Sequence, residues 1–335
     1  MIQFLGLHLS TKRAIAVALG RDLNEWARTE TQVMNVAPAP DASATEVPVA
    51  EWIRAGCFAL QETYLDLPVK ARKVWGVGLS GPSGWVALDV SYEPVSSLRL
   101  VDGEHVESDF RNWLDTQERV VDKIAAVLSP KDFFRFVVSG GLATDATQVD
   151  RLGLLAPGQM RWDTPQLAGS PFRGDWLPPV FDSQSSTGRL SENGVRRTSL
   201  PGGTWVVSGA HESAAGIAGV ADLRKPTLWV AREAGKYRLV RGVKTTATLT
   251  SVQGWDWRCP TLMGCQCLEK VLVAHEDEPH EDQFDREIAE LSTAGYPVDD
   301  VQLVYPDAAL GAAVMTGVAS GLIKGWDRYY TAIDG

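Results

Sequence analysis

The chain has 335 residues, 44% hydrophobic and 22% charged, with a formal net charge of −10. That length carries two domains and a large buried core. The acidic balance argues against a nucleic-acid or anionic-membrane surface, which needs clustered Lys and Arg, and leaves a small neutral or sugar-like ligand compatible.

No apolar run is long enough to span a membrane. The start, MIQFLGLHLSTKR, has no basic leader before its apolar run, so no signal peptide is expected. Cys57, Cys259, Cys265 and Cys267 make no disulfide framework, and a reducing cytoplasm is the expected location. The 12 tryptophans serve packing first, with a few available to line a sugar pocket.

In chain order, Ile2–Leu9 and Ala14–Leu19 are apolar strands about the polar turn Ser10–Arg13, and Glu25–Val33 extends them into an antiparallel meander. Val49–Thr63 has helical spacing. Val74–Leu79 is a strand ending in the turn Ser80–Gly84, and Trp85–Val90 is the next strand. Asp109–Val127 and Lys131–Val138 are expected as helices, the second stopped by Gly140-Gly141. Residues 156–191 are rich in Pro, Gly and Trp and predict irregular structure. Thr227–Ala231 and Tyr237–Val240 predict a hairpin, Gly264–Val273 and Asp285–Ala294 helices, Val301–Tyr305 a strand and Ala308–Leu322 an Ala/Gly helix. Strands in antiparallel runs and again before helices favour an α/β class with mixed sheets.

The stretch Pro201–Val220, PGGTWVVSGAHESAAGIAGV, predicts strand, tight turn and helix start with one carboxylate, Glu212, at the turn. Glu212 has two readings. One is a catalytic base facing a cleft; the other is an acid stabilised by a helix N-terminus.

Taken in order, these pieces resemble the FGGY carbohydrate kinases, the group of xylulose, glycerol, gluconate and rhamnulose kinases. FLGLHLSTKRAIAVA at Phe4–Ala18 is similar to their opening strand, phosphate turn and second strand. VWGVGLSGPSGWVALD at Val74–Asp89 is similar to the strand, sugar-facing loop and strand that follow. RLVDGE at Arg99–Glu104 lies where the family has a Trp-x-Asp-x-Arg-like sugar-contacting segment. PKDFFRFVVSGGLATD at Pro130–Asp145 resembles the family's "PKDYLRYRLTG…TD" block. Leu177–Leu190, Pro201–Val220 and Ala309–Leu322 match three further blocks. The resemblance implies an actin-like (ribonuclease H-like) ATPase fold, with two domains around a cleft. Residues 1–220 would be the sugar-binding domain and 221–335 a shortened nucleotide-binding one, since only 335 − 212 = 123 residues follow Glu212. It also implies MgATP as phosphoryl donor and a sugar or polyol as acceptor, with no nucleic acid or membrane partner; a homodimer is left open.

Phosphoryl transfer to a hydroxyl needs a proton acceptor, a Mg²⁺ ion on oxygen ligands and donors that cradle phosphate. By resemblance Glu212 stands at the catalytic Asp, one methylene longer, a displacement of about 1 Å that matters to catalysis. His211 matches a His-Asp pairing of some family branches, or is a plain turn histidine. The first phosphate turn departs from Asp-x-Gly-Thr: His8 replaces the Asp and Ser10 the Gly, while Thr11 is kept and Lys12 or Arg13 can meet an anion. Ser10, Thr11 and Lys12 are the phosphate candidates, with an ordinary hairpin turn as the competing reading. At the second phosphate loop the chain reads Ala231-Arg232-Glu233-Ala234-Gly235, and the acidic HEDEPHEDQFD at His275–Asp285 replaces the expected adenine-facing glycines. On the sugar side Ser80, Ser83 and Asp102 are the candidates, Asp102 reading equally as an Asp-Gly turn residue. These departures make a catalytically inactive pseudokinase, with a sugar-binding or regulatory role and no cofactor, the alternative function. Cys259, Cys265, Cys267, His275 and His280 offer zinc-type ligands without a paired C-x₂-C spacing, so no metal ligand is assigned.

Overall fold

The computed structural model describes residues 1–39, 44–101, 105–117, 120–156, 159–220 and 306–324. It also gives the backbone of strands at 228–233, 236–244, 256–258, 265–273 and 301–304, and helical residues at 286, 289, 292 and 293. Strands β1 (Ile2–Leu9), β2 (Arg13–Gly20) and β3 (Glu25–Gln32) form the expected antiparallel meander. Two short strands, β4 (Ala37–Pro38) and β5 (Thr45–Val47), lead into helix α1 (Val49–Asp66). Then come β6 (Lys73–Gly81), β7 (Gly84–Asp89), β8 (Leu98–Leu100), helix α2 (Val106–Thr116), β9 (Ile124–Leu128) and helix α3 (Pro130–Ser139). The pair β10 (Thr144–Asp145) and β11 (Val180–Phe181) encloses α4 (Ala146–Arg151) and α5 (Thr164–Gly169). Next are β12 (Ser186–Arg189), α6 (Glu192–Thr198), β13 (Trp205–Val207), β14 (Ala210–His211) and α7 (Glu212–Ala218).

The first sheet runs β12-β13-β6-β1-β2-β3, with β14 also on β6. It is mixed: β1 and β13 are parallel to β6, and the meander is antiparallel. Alternation along β1 sends Leu5, Leu7 and Leu9 into a core shared with α1 and α3, and Phe4 into a second core with α7 on the other face. A smaller sheet, β4-β5-β8-β7-β9, covers a third, aromatic core around Trp85, Phe110 and Phe172.

A second large sheet, ordered β17-β18-β16-β15-β19, is built from β15 (Leu228–Glu233), β16 (Lys236–Lys244), β17 (Asp256–Arg258), β18 (Cys265–Val273) and β19 (Val301–Val304). After it, α8 (Ala308–Ala319) returns to the first sheet. A Cβ at Gly6 or Gly78 would overlap the α8 backbone at Ala309 or Ala312, so the bare backbone of these strands is what lets the helix lie on the sheet. The Ala/Gly composition of α8 serves the same close approach.

Two expectations are corrected. The helix expected over Asp109–Val127 ends at Thr116, and Ile124–Leu128 pairs antiparallel with β7 instead. Gly264–Val273, expected as helix, carries β18, paired with β16 from Lys236↔Val273 to Lys244↔Cys265. Both are short apolar runs, for which helix and strand periods are not distinguishable and sheet partners decide. Residues 156–191 are less irregular than expected, with α5 capped by Asp163. Of the helix expected at Asp285–Ala294, residues 286, 289, 292 and 293 are helical and the rest lie outside the described residues.

Candidate active site

The C-terminal ends of neighbouring strands bring the chemistry-bearing residues together. His8 lies opposite Ser80 across β1 and β6, and Ala210 lies opposite Ser80 on the other side of β6. The next residues, His211 and Glu212, close β14 and open α7. Gly209, between β13 and β14, has φ +77, and a Cβ there would overlap the Leu79 carbonyl, so the close approach of β14 to β6 requires glycine.

Glu212 Oε2 is 4.0 Å from His8 Nε2, with the two side chains 26% and 13% exposed. Burial pushes the His8 imidazole down to about 4, while the Asp307 carboxylate pulls the other way. His8 is therefore neutral near pH 7. Its Nδ1 and the Ser80 Oγ are buried and have no hydrogen-bond partner among the described residues. Asp307 is itself engaged, capping α8 through the Leu310 N–H at 2.9 Å and pairing with Arg28 at 2.6 Å.

Behind Glu212 lies a buried polar network. Lys131 Nζ sits 2.7 Å from both Asp132 and Asp145, all three side chains fully buried, and donates to the Ser208 carbonyl at 3.3 Å. Burial alone would push Lys131 down; the two carboxylates outweigh it and raise it, so it stays charged. Asp145 caps α4 and accepts from the Thr147 and Ser183 hydroxyls. Thr147 Oγ1 accepts the His211 N–H at 2.8 Å. The His211 ring, on a residue 3% exposed, caps α7 and bridges Ser83 Oγ at 3.0 Å and Ser213 Oγ at 2.7 Å. His211 is thus a buried bridging cap, a correction to its reading as a plain turn histidine. The signal that could have found it was its place one residue before an acid at a helix start, where a side-chain acceptor caps.

The other sequence candidates fall as follows. Ser80 and Ser83 are buried at 0% and 4% exposure, on β6 and in the loop after it. Asp102 lies outside the described residues; the strand leading to it is held by Arg99, which bonds Asp109 and Glu46 at 2.6 Å each. Ser10 spends its hydroxyl closing the β1–β2 turn, donating to the Arg13 carbonyl at 2.9 Å. Thr11 is half-buried and Lys12 exposed on that turn. Arg232 and Glu233 end β15. Cys259, His275 and His280 lie outside the described residues, and Cys265 and Cys267 are part of β18.

Magnesium takes hard oxygen ligands in octahedral geometry. Near the neutral imidazole the described residues offer Glu212 and Asp307, the latter already paired with Arg28, and no trio of His, Cys, Asp or Glu able to hold a metal occurs among the described residues. These side chains do not fit a Mg²⁺ ion held by the protein. Among the described residues no helix is long and apolar enough to cross a membrane.

No family model matches the chain. It is similar to a xylulose kinase of Klebsiella pneumoniae, 24% identical over 245 residues, a match covering 65% of this chain and 50% of that enzyme. The chain thus spans about half the length of this curated relative. Among solved structures, a xylulose kinase from Rhodospirillum rubrum superposes with a TM-score of 0.80 at 14% identity, covering 99% of this chain and 92% of that one. Plasmodium falciparum glycerol kinase with ADP gives 0.77 at 11% identity, with the same coverages of 99% and 92%. A gluconate kinase from Lactobacillus acidophilus gives 0.68 at 12% identity, covering 99% of this chain and 78% of that one. The chain therefore has the actin-like ATPase fold of the FGGY-type sugar kinases.

Proposed function

We propose that this chain is a carbohydrate kinase homologue that binds a sugar or polyol between the Pro82–Ser83 loop and the start of α7. Glu212 is the proton acceptor for the hydroxyl that takes the γ-phosphoryl of ATP. The observation that carries this reading is the partly exposed Glu212 carboxylate beside His8 Nδ1 and Ser80 Oγ, buried polar atoms with no hydrogen-bond partner among the described residues. Buried polar groups are normally satisfied, so unsatisfied ones at converging strand ends suit a polar ligand. Asp102 would complete the sugar contacts. Thr11 and Lys12 are the groups best disposed to meet phosphate, Ser10 being occupied by its own turn. Residues 221–335 would form the nucleotide side.

One observation favours a second reading. His8 is neutral where the reaction needs an oxygen ligand for Mg²⁺, which suits a pseudokinase that binds sugar and transfers nothing. ADP release with MgATP across pentuloses, hexuloses and polyols decides between them. Turnover that falls at least about 100-fold in Glu212→Gln supports the kinase. Thermal stabilisation by a sugar without turnover supports the pseudokinase. Neither stabilisation nor turnover with any sugar overturns both.

A further inference from the structure

Hydrogen bonds around Ser83 have a direction, set by groups that can only donate. Lys131 Nζ pairs with Asp145. A carboxylate only accepts, so the Thr147 hydroxyl spends its proton on Asp145 and turns its lone pairs to the His211 N–H. At the ring, the Ser213 N–H points at Nδ1 from 3.3 Å. A backbone N–H cannot reverse, so Nδ1 is the unprotonated nitrogen, and the Ser213 hydroxyl at 2.7 Å donates to it as well. The ring proton is then on Nε2, which donates to Ser83 Oγ across 3.0 Å. The Ser83 hydroxyl has no other hydrogen-bond partner among the described residues. One of its lone pairs is taken, and its own proton is left over.

We infer that His211 is a positioning residue that makes Ser83 a hydrogen-bond donor to the ligand, so this corner of the pocket selects an oxygen that accepts. This deepens the sugar-site reading proposed above and rests on it. A hydroxyl or carbonyl oxygen satisfies the corner, and a group that can only donate does not. Replacing the facing hydroxyl by fluorine, which still accepts, is tolerated better than replacing it by hydrogen.

The experiment has two arms. Long-range ¹H–¹⁵N correlation on the ligand-free protein reads the His211 tautomer, with Nε2–H expected and Nδ1–H overturning the inference. Calorimetry then uses D-xylulose, glycerol and D-gluconate as probes, with the monodeoxy and monofluoro analogues of whichever binds. The expected result is one position where the deoxy analogue loses at least about tenfold in affinity and the fluoro analogue keeps most of it. In Ser83→Ala that difference collapses. His211→Gln, which keeps a side-chain N–H donor, retains more of it than His211→Leu. A deoxy and a fluoro analogue that lose equally at every position overturn the donor role while leaving the sugar site standing. Failure of all three probes to bind the unaltered protein overturns the sugar site, and Ser83's role in it, whichever tautomer is found.

Discussion

His8 links stability to pH in a way that can be measured without a substrate. Moving its imidazole from 6.5 to about 4 corresponds to about 3 kcal/mol, at about 1.36 kcal/mol per pH unit. The depressed value means that the unfolded chain takes up a proton before the folded one. The neutral imidazole's contribution is therefore whole above pH 6.5, is lost as pH falls from 6.5 to about 4, and is constant below. The perturbation is His8→Gln, which cannot titrate. Urea unfolding of both proteins in steps from pH 7.5 to 4.5 gives the difference in unfolding free energy at each pH. That difference should shift against the unaltered protein by about 2 to 3 kcal/mol across the range, and the other four histidines cancel in the subtraction. A difference that stays flat, or a His8 ring resonance titrating near 6.5, would refute the assignment of a desolvated imidazole.

Three further outcomes are expected. Lys131→Met leaves the Asp132 and Asp145 carboxylates buried without their cation and should lower unfolding free energy by about 3–5 kcal/mol, read by urea denaturation. Gly6→Ala puts a methyl into the α8 backbone and should cost at least about 1–3 kcal/mol, whereas Gly202→Ala meets nothing within 4 Å and should stay within about 0.5 kcal/mol, both by thermal unfolding. His8→Asp faces a second carboxylate toward Glu212 and should gain a Mg²⁺-dependent thermal stabilisation that the unaltered protein lacks. At ten times its dissociation constant the ion would contribute about 1.4 kcal/mol.

The fold was legible where the chain's period was unambiguous. The apolar run Ile2–Leu9, set off by the polar turn Ser10–Arg13, and the Ala/Gly run of α8 were each legible as the elements they form. Ile124–Leu128 and Cys265–Val273 were not, because only their partners β7 and β16 make them strands. The strand–turn–helix setting of Glu212 was legible, and the structure adds the adjacency of His8 and Ser80, which comes from a parallel pairing of residues 72 apart in sequence (80 − 8). The Lys131–Asp145–Thr147–His211 chain was not legible. Each link is an ordinary capping or helix residue on its own, and only the approach of α3, α4 and β14 makes them one network.

That network gives the two sides of the site different constraints. At the Ser83 corner the His211 ring is held by the Ser213 N–H, which can only donate, and by its bonds to the Ser83 and Ser213 hydroxyls. On the other side the position of Glu212 relative to His8 depends on how α7 packs. Glu212 opens α7, α7 lies on α8, and α8 lies on the strand that carries His8. A Cβ at Gly311 would overlap the Ala215 carbonyl of α7, and one at Gly6 would overlap α8, so a stack of bare backbone sets the 4.0 Å separation. Any side chain added to this seam moves the helix that carries the acid. A displacement of about 1 Å at a reacting group costs on the order of 100-fold in rate. For the base role proposed for Glu212, these glycines therefore belong to the geometry of the site as much as the acid does.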